Sequence, residues 1–258
     1  MSRTPLVAAN WKMHLLTADA RAYCDALREG LPVAGVEVAL FPSFPLLPAV
    51  VASVASAGLP VEIGGQDLHP EDAGAHTGDV SGAQLADAGC RWVLVGHSER
   101  RQNHGEGDAL VERKLAAAAR HGLAPILCLG ETGDERRAGQ TFAVLERQLA
   151  AALPGLGPAP IVAYEPIWAI GTGDTATPAQ AQEAHAFLRA KAASLASPGL
   201  AAALRLLYGG SVKPDNAAEL AAQTDVDGFL VGGASLDAAK FLAIIRACGS
   251  AARTGGMS

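Results

Sequence analysis

Five short segments concentrate residues able to move a proton or hold an anion. They are Asn10-Trp11-Lys12, Gly96-His97-Ser98-Glu99, Tyr164-Glu165-Pro166, Tyr208-Gly209-Gly210-Ser211 and Gly232-Gly233. Together they supply an ammonium, an imidazole, a carboxylate and two glycine-rich turns. A carboxylate emerging from an apolar wall can serve as a general base, because losing water raises its pKa towards the working range. An ammonium nearby opposes charge that develops on oxygen. Glycines let backbone N–H groups approach a phosphate closely, because no Cβ intervenes. The set suits acid–base work on a small phosphorylated molecule.

Each segment follows a short, nearly continuous apolar run, the pattern of parallel strands buried on both faces. Strands are expected at Leu6–Asn10, Val36–Phe41, Val61–Gln66, Trp92–Val95, Pro125–Leu129, Ile161–Tyr164, Leu204–Tyr208 and Gly228–Val231. Between them, Asp108–Arg120, Glu135–Ala152 and Ala179–Leu195 have helical composition with apolar residues three and four apart. Thr177-Pro178 and Lys213-Pro214-Asp215 mark helix starts, and glycine follows the segment ending at His121. Eight strands alternating with eight helical segments predict an α/β protein, a single-domain (β/α)8 barrel over residues 1–258. An open doubly wound sheet has the same periodicity. The Gly/Pro-rich stretch Leu153–Pro160 is short enough for a connection, and the tail after Gly249 is expected to fray. In such a barrel chemistry sits past the carboxyl ends of the strands, where the five segments fall.

Composition narrows the functions further. The chain has 258 residues, half of them hydrophobic and 18% charged, which suits a large core. A net charge of −6 without any basic run argues against nucleic-acid binding. No apolar run approaches the roughly 20 residues a membrane helix needs. The start of the chain lacks a signal-peptide pattern. Cys24, Cys90, Cys128 and Cys248 form no C-x-x-C pair, so reduced thiols in a cytoplasmic protein are expected. No Walker-type or dinucleotide glycine motif follows a strand, and no residue of the set requires a metal or organic cofactor.

Five segments carry a specific resemblance. AANWKMH (8–14), GHSERR (96–101), AYEPIWAIGTG (163–173), LYGGSV (207–212) and GFLVGGASL (228–236) resemble the signature segments of the triosephosphate isomerase family, in that family's order and spacing. The resemblance runs from Leu6 to about Ala247. It implies an isomerase interconverting dihydroxyacetone phosphate and D-glyceraldehyde 3-phosphate through an enediolate. Glu165 would move the proton between adjacent carbons, and His97 would polarise the oxygens. The family is itself the standing example of a neutral imidazole electrophile whose pKa a helix N-terminus lowers. Ser98-Glu99 could open such a helical turn. Lys12 and Asn10 would face the substrate, with Glu99 pairing Lys12 or sharing protons. Gly171, Ser211, Gly232 and Gly233 would grip the phosphate.

The stretch Pro166, Ile167, Trp168, Ala169, Ile170, Gly171, Thr172 and Gly173 has the form of a hinged lid with an exposed apolar tip. Replacing Gly171-Thr172-Gly173 by a rigid sequence is expected to lower turnover without unfolding. The long loop Asp67–Val80 resembles the family's subunit-spanning loop, with Thr77 at the threonine that steadies the partner's lysine and imidazole, so a homodimer is expected. His76 departs from the aromatic or aliphatic residue usual there and could weaken the interface at low pH. Gln66-Asp67 departs mildly from Gln-Asn. Cys128 matches the cysteine the family carries near its site, but reads as a core residue without a catalytic role. Two alternatives remain at this stage: an isomerase of a tetrulose phosphate, and a non-catalytic barrel that binds phosphorylated metabolites.

Overall fold

The structure, a computed structural model, describes residues 3–170 and 175–254, with side chains described as far as Ser250. Eight strands form in chain order: β1 (Leu6–Asn10), β2 (Glu37–Phe41), β3 (Glu62–Gly65), β4 (Trp92–Val95), β5 (Ala124–Leu129), β6 (Ile161–Tyr164), β7 (Arg205–Tyr208) and β8 (Gly228–Val231). Each pairs in parallel with the next, and β8 returns to β1 at Leu6↔Gly228. The sheet is therefore a closed barrel. Closure excludes the open doubly wound sheet.

Alternation along each strand divides the core in two. Leu6, Ala8, Phe41, Leu94, Ile126, Cys128, Ala163 and Leu207 pack with one another inside the barrel. Val7, Ala9, Val93, Val95, Leu127 and Leu206 point outward into the layer beneath the helices. Apart from the exposed starts of β2 and β3 at Glu37 and Glu62, both faces of the strands are thus dry or nearly so, which is why the strands read as continuous apolar runs. Gly64 is part of this fit, since a Cβ there would lie 2.3 Å from the Phe41 ring.

The helix Asp108–Arg120 has the predicted bounds. The predicted helix Glu135–Ala152 is instead two, Gly133–Arg137 and Thr141–Ala152. Thr132 caps the first by accepting from the Glu135 N–H, and Gly139 at φ 70° ends it. The segment after β4 is likewise double, with a short helix Ser98–Asn103 before Asp108–Arg120. Of the tail expected to fray, residues 250–254 continue the helix Ala238–Thr254, and the rest lies outside the described residues. Gly249 lies so close to Val33 and Val36 that a Cβ would come within 2.9 Å and 3.1 Å of them, so tertiary packing overrides its weak helix propensity.

Candidate active site

A cavity of about 700 Å³ opens past the carboxyl ends of the strands. Asn10, Lys12, His97, Glu165, Ser211, Gly232 and Gly233 all line it, joined by Ile170, Gly209 and Gly210. These residues come from the segments after β1, β4, β6, β7 and β8, so barrel closure collects groups up to 223 positions apart, from Asn10 to Gly233. Gly171, Thr172 and Gly173 lie outside the described residues.

Lys12 is held in an unusual backbone shape. Its φ is 51°, a left-handed conformation that non-glycine residues rarely adopt. Two side chains keep it there: Asn10 Oδ1 accepts from the Lys12 N–H at 3.0 Å, and Gln66 Nε2 donates to the Lys12 carbonyl at 2.8 Å. The same Gln66 amide also donates to Phe41 O, tying β1, β2 and β3 together. Lys12 Nζ then reaches Glu99 Oε1 at 2.6 Å. Gly232 lies beside it, where a Cβ would make only ordinary contact with Lys12 Cε, at 3.5 Å.

His97 is the N-cap of the helix Ser98–Asn103, and its Nδ1 accepts from the Glu99 N–H at 3.2 Å. Accepting uses the Nδ1 lone pair, so the ring proton belongs on Nε2. Nε2 lies 3.0 Å from Glu165 Oε1. The other carboxylate oxygen, Oε2, accepts from the Ser98 N–H at 2.8 Å. Gly96 takes φ 72° to turn the chain here, and Arg101 locks that turn by donating to Gly96 O and pairing with Asp108.

The charge states differ from the sequence expectation, which placed Glu165 high and His97 low. Burial, the largest single influence, does favour the neutral form of both. In Glu165 the His97 ring, the Ser98 amide and Lys12 together outweigh it, and the carboxyl lies below its ordinary range. In His97 the Glu165 carboxylate, with Glu99, outweighs burial and lifts the imidazole above its ordinary range. Each group stabilises the other's charged form because the two touch in this geometry.

Ser98 is buried behind the cavity and acts through its N–H, while Glu99 is half exposed. The apolar tip is not exposed: Pro166 and Ala169 are buried, while Ile167, Trp168 and Ile170 are partly so. The cause is Glu131, which sequence reading missed. This fully buried carboxylate accepts from Trp168 Nε1 at 2.9 Å and Tyr164 Oη at 3.1 Å. Arg136 stacks over the Trp168 ring. Thr77 stands in an exposed run, residues 71–79, away from the cavity lining of its own chain. Asp67 is buried against Lys114 and Arg100, so its departure from asparagine is matched by two cations. Lys213, Lys240 and His14, also missed, line the cavity mouth. Three lysines therefore face it in a chain of net charge −6.

Among the described residues, His69, His76 and Asp79 bring possible metal-ligand atoms within 4.8 Å of one another. None of them lines the cavity. The His69 Nδ1 already accepts from the Glu71 N–H. A cation on Nε2 would need Nδ1 protonated and so would break that bond.

Comparison with known proteins follows the same lines. The family model for triosephosphate isomerase matches residues 5–248. The chain is 53% identical over 247 residues to the triosephosphate isomerase of Moorella thermoacetica, covering 94% of this chain and 98% of that one. It is 52% identical over 259 residues to that of Acidithiobacillus ferrooxidans, covering 98% and 100%. The crystal structure of triosephosphate isomerase from Bartonella henselae matches with a TM-score of 0.87 at 39% identity, over 95% of this chain and 98% of that one.

Proposed function

The chain belongs to the triosephosphate isomerase family, and on that premise we propose how its own residues carry the reaction. The enzyme interconverts dihydroxyacetone phosphate and D-glyceraldehyde 3-phosphate, an aldose–ketose isomerisation of glycolysis and gluconeogenesis. Glu165 is the base that removes a proton from the carbon beside the substrate carbonyl and returns it to the former carbonyl carbon through an enediolate. His97 Nε2–H donates to the oxygens on which charge develops, and Lys12 neutralises that charge. Asn10 contributes its amide N–H groups, its oxygen being taken by Lys12. Ser211, Gly232 and Gly233, with Gly171, hold the phosphate.

The observation that carries this reading is the buried Glu165 carboxylate at the cavity wall, with one oxygen on His97 and the other on the Ser98 amide. Both oxygens are occupied, so the carboxylate must leave its partners to reach a substrate carbon. On leaving, it loses the contacts that lower its pKa while staying in a dry site. Its basicity therefore rises only when substrate is present. The same step removes the carboxylate that lifts His97, and the Glu99 N–H on Nδ1 then favours the neutral, donating ring. A lid role for residues 166–170, which would exclude water from this site, is supported by Ile170 in the cavity lining and by the anchoring of Ile167 and Trp168 on Glu131.

The active form is a homodimer joined through Asp67–Val80, with Thr77 steadying the partner's site. Support comes from that loop's exposed run and from Met13 and Leu16, large apolar residues left 92% and 75% exposed beside Lys12. Barrel and helices act as one domain. Among the described residues no helix is long and apolar enough to cross a membrane. Four buried, unpaired thiols fit a reducing cytoplasm.

The test is turnover of either triose phosphate by the purified chain beside Glu165→Gln. Fast interconversion that falls by about 10²–10⁴-fold in a folded variant supports the assigned base. Equal turnover in the two proteins would remove Glu165 from that role.

A further inference from the structure

Gln148 lies on the helix Thr141–Ala152, outside the barrel wall and outside every motif that marks the site. The residue is 6% exposed and is not among those lining the cavity. Buried glutamines need a reason, because an unpaired amide is costly away from water. Here both ends of the amide are spent on one residue. Oε1 accepts from the Gly130 N–H at 2.9 Å, and Nε2 donates to the Gly130 carbonyl at 3.3 Å. A side chain thus takes the place a neighbouring strand would fill, just where β5 has ended.

Gly130 is the backbone against which Glu165 rests. The last register pair of β5 and β6 is Leu129↔Tyr164, which sets Gly130 beside Glu165. Glu165 N donates to Leu129 O at 2.8 Å. A Cβ on Gly130 would fall 1.8 Å from Glu165 O and 3.3 Å from its Cα. On the other side a Cβ on Gly209 would fall 2.9 Å from Glu165 Cγ, and Gly209 N donates to Tyr164 O at 2.7 Å. Glu165 is wedged between two glycine strand ends, and Gln148 holds one of them from behind.

We infer that Gln148 is a positioning residue for the isomerisation, fixing Gly130 so that the Glu165 backbone cannot drift from the place where its carboxylate meets the substrate carbon. The inference rests on Glu165 being the base. Proton transfer is sensitive to placement, and a shift of about 1 Å costs on the order of 10²-fold in rate. Apart from Gly171, the residues assigned to substrate binding follow other strands, β1, β7 and β8, so a slack Gly130 should slow turnover and leave binding nearly alone.

The test compares Gln148→Met, which keeps the volume and removes both hydrogen bonds, with Gln148→Asn, which keeps the amide but is too short to span both contacts. Expected for Gln148→Met is a kcat about 10- to 100-fold down, with KM within about twofold of wild type, as a misplaced base requires. Gln148→Asn should fall between Gln148→Met and wild type. The acid limb of the kcat/KM profile, which reports the enzyme before substrate draws the carboxylate away, should also move up in pH as Glu165 loosens from His97 and Ser98, which general weakening of the fold would not produce. Wild-type kcat in folded Gln148→Met, or a loss carried wholly by KM, overturns the inference. If Gln148→Met does not fold, Gln148→Asn decides alone: lowered kcat at unchanged KM supports it, and wild-type kcat overturns it. Glu165→Gln run in parallel separates the two levels. If that variant stays active, the base assignment falls and takes the inference with it. If it is inactive while Gln148→Met is unimpaired, only the positioning role falls.

Discussion

Glu165 Oε1 lies 3.0 Å from His97 Nε2, so the assigned base and the assigned electrophile hold one another. The pairing lowers one pKa and raises the other. Replacing His97 by Gln removes a cause that lowers Glu165 and leaves burial, which raises it. The acid limb of kcat/KM should therefore move to higher pH, and kcat should drop by about 10²-fold or more as the donor to the enediolate oxygens is lost. A pH–rate profile of the variant checks both. An unmoved acid limb would show that the pair does not govern the base.

Lys12 combines a strained backbone with an ammonium among the residues lining the cavity. Lys12→Gly should abolish turnover and weaken inorganic phosphate binding by at least about tenfold, because the ammonium is gone. Glycine accepts φ 51° without steric cost, which offsets its larger unfolded-state entropy. The unfolding midpoint should then stay within about 2 °C of wild type or rise. Calorimetry beside the phosphate titration measures the two effects separately.

Gly209 separates β7 from Glu165 by less than a side chain. In Gly209→Ala the new Cβ would meet Glu165 Cγ at 2.9 Å and Tyr164 O at 3.1 Å. Backbone cannot yield as a flexible side chain would, so the carboxylate is displaced. The expected result is a fall in kcat of about tenfold or more with a modest loss of stability. Steady-state kinetics and an urea titration of the same preparation would reveal the opposite balance if it exists.

His185 sets an acid limit on stability. It is buried, its ring nitrogen Nδ1 lies 3.0 Å from Asp225 O, and burial lowers its pKa to about 4. The unfolded histidine titrates near 6.5. Below that the unfolded chain binds a proton the folded one refuses, so stability is intact above about pH 6.5 and falls until about pH 4. The loss from this residue totals about 3 kcal/mol. His185→Gln should flatten that part of the stability–pH curve, measured by urea unfolding between pH 4 and 7.

Exposed Met13 and Leu16 should lie inside the dimer. Replacing both by Glu should turn a concentration-independent dimer into monomers in sedimentation and reduce turnover in proportion. A monomeric wild-type protein at micromolar concentration would end the homodimer reading.

Much of the barrel was legible because parallel strands dry on both faces write continuous apolar runs, as in Val93-Leu94-Val95 and Ile126-Leu127-Cys128-Leu129. Helix Asp108–Arg120 was legible to the residue, since its buried Val111, Leu115 and Ala118 recur at helical spacing. The break at Gly139 was hidden within a helical composition. Of Gln66, Glu131, Arg101 and Gln148, the second and fourth carry no motif at all, and the segments that hold the other two do not disclose what those side chains touch. Their roles depend on partners reached by folding: Lys12 and Phe41, Trp168 and Tyr164, Gly96 and Asp108, and Gly130.

By itself the sequence determined which chemistry is available, because residue types set the possible bases, electrophiles and cations and their strand ends set where these emerge. Tertiary structure decided their charge states. Glu165 and His97 are 68 positions apart, yet their pKa shifts arise from a 3.0 Å approach in a dry pocket. Coulomb interaction and desolvation depend on distance and burial, and neither quantity exists in a chain until it is folded.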